Sequence, residues 1–273
     1  MKGSLLKRFD LNGRIAVVTG ASGILGRVFG RVLVEAGARV ALVDIDGKGC
    51  ASLAARLCRL RRSSAMAVPC DVSDERSVER MAETVTRTWG RIDVLHNNAA
   101  SKSSDLESFF APYERYALKE WRSVMAVNLD GMFLVSKVVG ERMKRRRSGS
   151  IVQTASIYGL MAPDQRIYEG SRYLGRPINS PAVYAASKAG VLGLTRYLAA
   201  YWAKDGIRVN ALVPGGVESG QNAEFKRRYS ARVPLGRMAR AEEMAGALLY
   251  LASDASSYVT GQAVVVDGGL SAW

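Results

Sequence analysis

The sequence contains very little histidine: His96 is the only one among 273 residues. A HExxH zinc motif or another His-rich metal centre is therefore excluded. A Ser-His-Asp triad would have to use this one residue. His96 ends an apolar run that contains Ile92, Val94 and Leu95, so we expect it to be buried at the end of a strand. No pair of carboxylates has a spacing typical of catalysis, and we expect no metal site.

Cysteine and long apolar runs are also scarce. Cys50, Cys58 and Cys70 are odd in number and lack metal-ligand spacing, which predicts reduced thiols in a cytoplasmic protein. No uninterrupted run of about 18 apolar residues occurs, so we expect no membrane-spanning helix and no membrane partner. The segment Met1 to Asp10 lacks the apolar core of a secretory signal.

Positive charge is in excess, with 39 lysines and arginines against 25 acidic residues and a formal net charge of +14. Basic clusters at 59–62 and 144–147 fall at the ends of predicted helices, where cations offset the helix dipole. No aromatic residues are interleaved with them, so we expect no nucleic-acid partner. Attraction of an anionic substrate or cofactor is the other interpretation of this charge.

Apolar strand patterns and helical patterns alternate along the whole chain. This alternation predicts an α/β protein: one domain over residues 1–273, built on a doubly wound parallel sheet of about seven strands with helices on both faces. Ser73 is the predicted N-cap of the third helix. The predicted strands are 14–19, 39–44, 65–68, 92–96, 150–155, 208–213 and 263–267, and the predicted helices are 24–36, 49–60, 73–89, 118–146, 183–204 and 241–252.

A glycine-rich turn, T-G-A-S-G-I-L-G, follows the first predicted strand and opens the first helix. Glycines in this context permit a tight turn and a close approach of the backbone to a pyrophosphate, which then faces the helix N-terminus. The turn therefore predicts a dinucleotide site. Its predicted cofactor contacts are Gly20, Ser22, Gly23, Ile24, Leu25 and Gly26.

Asp44 ends the second predicted strand, 18 residues after Gly26. A carboxylate at that place accepts hydrogen bonds from the adenosine ribose hydroxyls and repels a 2′-phosphate. Ala21, Ser22 and Ile45 offer no basic side chain to hold such a phosphate. These residues favour NAD over NADP, with Asp44 and Ile45 as cofactor contacts.

Further candidate cofactor contacts follow the third and fourth strands, whose carboxyl ends line the ligand crevice of a doubly wound sheet. Asp71 is placed to meet the adenine amino group, next to Val72. After the fourth strand, Asn98, Ala99 and Ala100 are placed along the ribose. Taken singly, these residues also suit ordinary turns.

Tyr184 and Lys188 are four residues apart within a helical pattern, so they share one helix face. A cation beside a phenol lowers the phenol pKa, which suits Tyr184 to carry a proton. Ser156 follows the fifth strand, where its hydroxyl can polarise a carbonyl. Asn128 lies inside a helix, where an amide can produce a kink around a water.

Taken together, these residues resemble the short-chain dehydrogenase/reductase family in its classical size class, with an enlarged loop before the tyrosine. The resemblance covers about residues 10–273. It implies a Rossmann fold, a nicotinamide cofactor and a homodimer or homotetramer. It rests on Thr19 to Gly26, Asp71, Asn97 to Ala99, Asn128, Ser156, Tyr184, Lys188, Pro214 with Gly215, and Gly261 to Gly269.

The resemblance also implies residue roles. Tyr184 would pass a proton to or from the substrate oxygen, while Lys188 lowers its pKa and binds the nicotinamide ribose. Ser156 would orient the substrate, and Asn128 would hold a water in a proton relay. The segment after the sixth strand would hold the nicotinamide carboxamide, and 217–236 would form a substrate flap. The cofactor contacts in that segment are Pro214, Gly215, Val217 and Ser219.

Three features depart from the family pattern. The second glycine of the turn is Gly23, with Ile24 where a glycine is usual, and Ala100 replaces another glycine. Ser156 and Tyr184 are 28 residues apart, so an enlarged loop, 157–182, lies beside the reacting centre. Its arginines suit a polar or anionic substrate; a subunit contact is the alternative.

The sequence thus predicts an NAD-dependent enzyme that transfers a hydride between nicotinamide and a secondary alcohol or ketone, with a polar, sugar-like substrate. One alternative is a nucleotide-sugar epimerase or dehydratase that oxidises its substrate transiently. Another is a non-catalytic NAD-binding regulator.

Overall fold

A seven-stranded parallel sheet forms the centre of the computed structural model, which describes residues 4–103, 105–173 and 175–273. The strand order is β3-β2-β1-β4-β5-β8-β9, so the chain winds outward in both directions from β1, as predicted. A two-stranded antiparallel hairpin, β6 and β7, lies apart from it. The strands are β1 (Ile15–Thr19), β2 (Arg39–Asp44), β3 (Ala65–Pro69), β4 (Val94–Asn97), β5 (Gly149–Thr154), β6 (Arg172–Tyr173), β7 (Arg176–Pro177), β8 (Ile207–Pro214) and β9 (Ala263–Val266).

Both faces of the sheet are covered, which explains why its central strands are apolar throughout. Every residue of β1 is buried. One apolar cluster packs on each face, with Val17 and Leu95 on one and Val18 and Leu42 on the other. A strand buried on both faces needs no alternation of polar and apolar residues.

Nine α-helices accompany the strands within the described ranges. They are α1 (Ile24–Glu35), α2 (Gly47–Leu60), α3 (Glu75–Trp89), α4 (Leu106–Phe109), α5 (Leu118–Met125), α6 (Gly131–Arg146), α7 (Ala182–Trp202), α8 (Ala223–Ser230) and α9 (Ala245–Ala252). The predicted helix 241–252 begins as a 3₁₀ turn, Ala241–Met244, before α9.

The predicted N-cap of α3 was wrong. The helix begins at Glu75, and the Asp74 carboxylate accepts a hydrogen bond from the backbone N–H of Arg76. The Ser73 hydroxyl instead donates to Asp71 Oδ1 at 2.7 Å. Ser73 and Asp74 are both suitable capping residues. Because the Ser73 hydroxyl is hydrogen-bonded to Asp71, Asp74 caps the helix instead.

A π-helical turn, Ala126–Asp130, joins α5 to α6, so Leu118–Arg146 forms one long interrupted helix. By length and composition alone, this helix is apolar enough to cross a membrane. The sequence prediction of no membrane-spanning helix considered only uninterrupted apolar runs, and polar residues interrupt this one. Half of its most apolar stretch is buried in the fold, against α3, α7 and the sheet. A buried core helix passes the same test.

The described residues of the enlarged loop form two 3₁₀ turns, Ile157–Gly159 and Gln165–Tyr168, followed by the β6 and β7 strands. The predicted flap contains α8. We refer to residues 157–182 and 217–236 together as the cover, because they lie over the carboxyl ends of β5 and β8. An apolar cluster joins the two segments through Ile157, Ile167, Phe225, Tyr229 and Val233.

His96 is fully buried at the end of β4, as predicted. Its Nε2 lies 3.1 Å from Thr154 Oγ1, and burial lowers the pKa of the ring to about 3. The three cysteines are free thiols. Among the described residues, no group of three or more histidine, cysteine or acidic side chains is placed to hold a metal ion.

Candidate active site

A cavity of about 370 Å³ lies at the carboxyl ends of the sheet strands, beneath the cover. Ser156, Tyr184 and Lys188 all line it, although they come from the end of β5 and from α7. Six predicted cofactor contacts from other elements line it too. They are Leu25, Asn98, Ala100, Pro214, Gly215 and Val217.

Lys188 is 2 % exposed and lies within α7. Its Nζ donates a hydrogen bond of 2.9 Å to the carbonyl of Thr154, which fixes the ammonium at the end of β5. The same Nζ is 5.9 Å from the centre of the Tyr184 ring. Burial lowers the pKa of this lysine to about 8, so it remains largely protonated at neutral pH.

Tyr184 does not have the lowered pKa that the spacing to Lys188 predicts. Burial raises the pKa of its phenol, and a hydrogen bond with the Ser156 hydroxyl opposes that rise. The Lys188 ammonium is directed towards the Thr154 carbonyl. In this arrangement Tyr184 is a phenol at neutral pH, which can donate a proton.

Ser156 is held in an extended conformation immediately after β5 and is 7 % exposed. Its Oγ accepts a hydrogen bond of 3.2 Å from the backbone N–H of Tyr158. The serine therefore caps the turn that begins the enlarged loop, and its hydroxyl is oriented beside Tyr184. Ser156 thus has two roles: it caps the first turn of the loop, and it is the residue predicted to orient the substrate.

Asn128 lies in the π-helical turn and is fully buried. Its Oδ1 accepts a hydrogen bond from the Ser101 N–H at 2.8 Å, and its Nδ2 is 3.5 Å from Ser187 Oγ. Ser187 Oγ in turn donates to the carbonyl of Tyr184. A π-turn widens a helix locally and often marks a functional position. Asn128 thereby joins the segment after β4 to the helix that carries Tyr184.

The glycine-rich turn packs too closely to admit side chains at two of its glycines. Gly20 has φ of +65°, and a Cβ there would lie 2.8 Å from Ala99 Cα. A Cβ on Gly26 would collide with the carbonyl of Gly20. No side chain caps α1 at Gly23, which leaves the first N–H groups of the helix available to an anion. The turn therefore fits the dinucleotide that the sequence predicts.

Asp44 is bound to this turn rather than to solvent alone. One carboxylate oxygen accepts hydrogen bonds from Ser22 N at 3.0 Å and Ser22 Oγ at 2.7 Å, and the other accepts from Asp46 N at 3.0 Å. Arg27, which the sequence reasoning did not consider, donates from Nε to the Ser22 carbonyl at 2.6 Å. A carboxylate and a guanidinium thus flank the same turn.

The remaining predicted contacts lie farther from the catalytic cavity. Asp71 follows β3 and accepts from both Ser73 N and Ser73 Oγ, while Val72 packs beneath Gly131. Ile45 is exposed after β2. Ser219 lines a second, adjoining cavity and is held by Gln221.

Three tyrosines of the cover line the catalytic cavity and were not predicted: Tyr158, Tyr168 and Tyr229. Burial raises the pKa of each phenol, to about 12 for Tyr229. Tyr229 OH accepts a hydrogen bond from the N–H of Gly216, which fixes the segment after β8. The sequence did contain a signal for these residues, because tyrosine is enriched in the loop and the flap.

A larger cleft, about 570 Å³, lies at the opposite, amino ends of the strands. Its charged groups are already bound: Asp93 pairs with Arg91 and Arg146, and Arg14 pairs with Asp254. None of the predicted catalytic residues lines it. Although this cleft is larger than the cavity beneath the cover, it is therefore not the candidate active site.

Known proteins resemble the chain over nearly its whole length. Residues 20–271 match the family model described as enoyl-(acyl carrier protein) reductase. A D-threitol dehydrogenase of Mycolicibacterium smegmatis is 37% identical over 266 residues, which is 96% of this chain and 94% of that protein. A cis-4-hydroxycyclohexanecarboxylate dehydrogenase of Sinomonas cyclohexanicum is 37% identical, covering 95% and 97%.

Among solved structures, a gluconate 5-dehydrogenase from Burkholderia cenocepacia J2315 in complex with NADP and tartrate has a TM-score of 0.86 and 34% sequence identity. The match covers 99% of this chain and 100% of that one. The fold and the relatives therefore agree. The chain belongs to the short-chain dehydrogenase/reductase family and is an alcohol oxidoreductase of that family.

Proposed function

We propose that this protein is an NAD(H)-dependent dehydrogenase that interconverts a secondary alcohol and a ketone on a polar, sugar-like substrate. The observation that carries the proposal is the convergence of Ser156, Tyr184 and Lys188 in one cavity beside the glycine-rich turn. A bound nicotinamide would supply the hydride acceptor or donor. The residues of the turn and of the segment after β8 would hold it.

Tyr184 is the proton carrier in this proposal. It receives the hydroxyl proton when an alcohol is oxidised and returns it when a ketone is reduced. The Ser156 hydroxyl donates a hydrogen bond to the substrate oxygen, and the Lys188 ammonium favours the phenolate once it forms. Because the pKa of Tyr184 is raised, ketone reduction should proceed at neutral pH and alcohol oxidation should accelerate as the pH rises.

The preference for NAD rests on Asp44. Its carboxylate lies at the end of β2 against Ser22, where it would receive ribose hydroxyls and repel a 2′-phosphate. The Burkholderia cenocepacia neighbour contains NADP, and Arg27 lies close to the same turn. The choice of cofactor is therefore the part of the proposal that most needs a direct measurement.

Titration with NADH and NADPH, followed by protein fluorescence, tests the cofactor on the wild type and on Asp44→Ala. We expect tighter binding of NADH, with that preference lost in the variant. A wild-type preference for NADPH would overturn the role of Asp44. An Arg27→Gln variant then shows whether the guanidinium attracts the 2′-phosphate.

Relatives support an alcohol substrate bearing several polar groups, because proteins named for D-threitol and for gluconate resemble this chain closely. Turnover assays should therefore include polyols and sugar acids. Net NADH release would distinguish a dehydrogenase from an epimerase that restores its own cofactor. Absence of turnover together with tight NADH binding would support a regulatory protein.

Three further parts of the proposal concern the whole molecule. The cover, residues 157–182 and 217–236, binds the substrate within the single domain 1–273. The protein assembles as a homodimer or homotetramer, which analytical ultracentrifugation would show. It functions in the cytoplasm, and fractionation of the source cells would locate it.

A further inference from the structure

A second cavity of about 240 Å³ adjoins the catalytic one and is closed on one side by the enlarged loop. Six residues line both cavities: Lys102, Tyr158, Tyr168, Tyr184, Gln221 and Phe225. Complete small-molecule sites usually measure about 300 Å³ or more. The second cavity is therefore better understood as an extension of the reacting centre, and we call it the outer subsite.

Aromatic rings form much of the wall of the outer subsite. Phe109 and Phe110 pack edge to face with ring centroids 5.0 Å apart, and Phe225 contributes from the flap. Tyr173 stands on the hairpin. Such walls remove water from one face of a ligand and favour a compact body with an apolar surface.

Two cations interrupt these apolar walls. Lys102 follows β4 and Arg172 belongs to the β6–β7 hairpin, and both line the outer subsite. The Lys102 Nζ lies 5.5 Å above the Tyr173 ring. Arg172 donates from Nη1 to the Gly175 carbonyl at 2.7 Å, which orients its guanidinium.

Neither cation is neutralised by an acidic side chain within the described part of the chain. The other arginines of the enlarged loop are paired: Arg166 with Asp164 at 2.8 Å and Arg176 with Glu107. Arg172 therefore differs from the other two arginines of the loop. The arginine-rich sequence of the loop predicts an anionic ligand, and the structure indicates that Arg172 is the loop arginine that lines the outer subsite.

We infer that Lys102 and Arg172 bind the carboxylate of a hydroxy acid whose carbinol carbon reacts at Tyr184. The inference rests on the proposed function and adds the class of substrate. The planar guanidinium matches the planar carboxylate, and the aromatic rings that line the outer subsite beside Tyr184 can pack against the carbon skeleton. The net charge of +14 attracts such an anion from solution.

Binding can be measured without any reaction by using probes that lack a carbinol. Cyclohexanecarboxylate and cyclohexanecarboxamide are nearly isosteric and differ in charge. With the NADH-loaded enzyme, calorimetry should show the carboxylate binding about 10-fold tighter than the amide, as expected for a charge-assisted hydrogen bond. Lys102→Met and Arg172→Met should each remove most of this preference.

Arg176→Gln is the matched control, because it removes one charge from the same hairpin at a position that is already paired. It should retain the preference for the carboxylate. Equal affinity for the two probes, binding of neither, or unchanged carboxylate affinity in both methionine variants would overturn the inference. Tighter binding of cyclohexyl phosphate than of the carboxylate would overturn the assignment of the anion.

Turnover separates this inference from the proposed function. The matched substrates are cis-4-hydroxycyclohexanecarboxylate and its carboxamide. Oxidation of both with equal kcat/KM would refute the outer subsite and leave the dehydrogenase proposal standing. Selective binding of the carboxylate probe without turnover of any alcohol would refute the dehydrogenase proposal and leave the subsite standing.

Discussion

The sheet and the cover are held together by different forces. The sheet packs two large apolar clusters against its faces, and its central strands are fully buried. The cover has one small apolar cluster, and its two segments are joined by ion pairs between partly exposed groups: Asp164 with Arg232 at 2.8 Å and Glu169 with Arg228 at 3.0 Å. We call these two contacts the cover ion pairs.

This difference corresponds to two tasks. The proposed hydride transfer would require Ser156, Tyr184 and Lys188 at fixed positions, and their places at the end of β5 and within α7 provide this. Substrate entry beneath the proposed flap would require a segment that moves, and partly exposed ion pairs contribute little to stability and break easily. Changes in the sheet should therefore alter stability, and changes in the cover should alter substrate affinity.

The largest effect should come from Tyr184→Phe, which keeps the aromatic ring and removes the proposed proton carrier. General acid–base catalysis typically contributes about 10²- to 10⁴-fold, so kcat should fall by that factor while cofactor affinity and the melting temperature change little. Tyr197→Phe, an exposed position on the same helix, is the control. Retention of most of the activity in Tyr184→Phe would exclude its proposed role.

A substitution that creates a cavity in the sheet should lower the free energy of unfolding more than one that creates a cavity in the cover. Leu95 is fully buried in β4, and Leu95→Ala should lower the free energy of unfolding by about 2–5 kcal/mol. Ile167→Ala in the cover should lower it less, because a segment that opens locally limits the cost, but it should raise KM. Urea denaturation and steady-state kinetics measure both. Equal destabilisation would contradict the comparison.

Lys188 gives the sheet region a pH dependence of defined sign. Its pKa is about 8 in the fold, against 10.5 for an unperturbed lysine. Between these values the unfolded chain binds a proton that the folded chain lacks, so folding becomes more favourable as the pH rises. Between pH 8 and 10.5, the free energy of unfolding of the wild type should therefore rise by up to about 3 kcal/mol relative to that of Lys188→Met.

Lys119→Met, which removes an exposed ammonium, corrects for the loss of one charge. Denaturant titrations at several pH values provide the measurement. A gain that occurs on lowering the pH instead would show that Lys188 is stabilised, not penalised, as a cation.

The smallest effect should come from the cover ion pairs. Arg232→Gln breaks the contact with Asp164, and KM should rise about two- to five-fold at low salt. Arg227→Gln, whose partner Glu224 lies in the same helix, is the matched control. Added salt should raise the wild-type KM towards that of Arg232→Gln, because screening weakens exposed pairs.

Acid should have the same effect as salt. The hydrogen bond from Arg166, together with the charge of Arg232, lowers the pKa of Asp164 to about 2, against 3.8 for an unperturbed aspartate. A lowered carboxyl pKa stabilises the fold above pH 3.8, and this stabilisation is lost as the pH falls towards 2. The hydrogen-exchange protection factors of the cover, corrected for the intrinsic pH dependence of exchange, should fall over that interval before those of the sheet.

Much of the sheet region was predictable because its signals are local. The runs that form β1 and β2 are apolar throughout, and such runs in alternation with helical periodicity indicate a parallel sheet. Tyr184 and Lys188 are close in sequence, so their shared face follows from helix geometry. Ser73 shows the limit of local reasoning, since an adjacent aspartate took the capping position.

The cover was less predictable because its contacts join residues far apart in sequence. Asp164 and Arg232 are ordinary charged residues until the fold brings them to 2.8 Å. The π-turn around Asn128 leaves no mark in the hydrophobic periodicity, although a kink was expected there. Lys102 was missed because one lysine in a loop carries no signal about the cavity that it faces.

The single buried histidine also makes this protein easy to observe by nuclear magnetic resonance. His96 contacts Thr154, whose carbonyl binds Lys188, so its ring reports on the base of the catalytic cavity. With a pKa of about 3 in the fold, its signals should stay fixed across neutral pH. In the unfolded chain they should titrate near 6.5. One unlabelled proton spectrum therefore distinguishes folded from unfolded molecules.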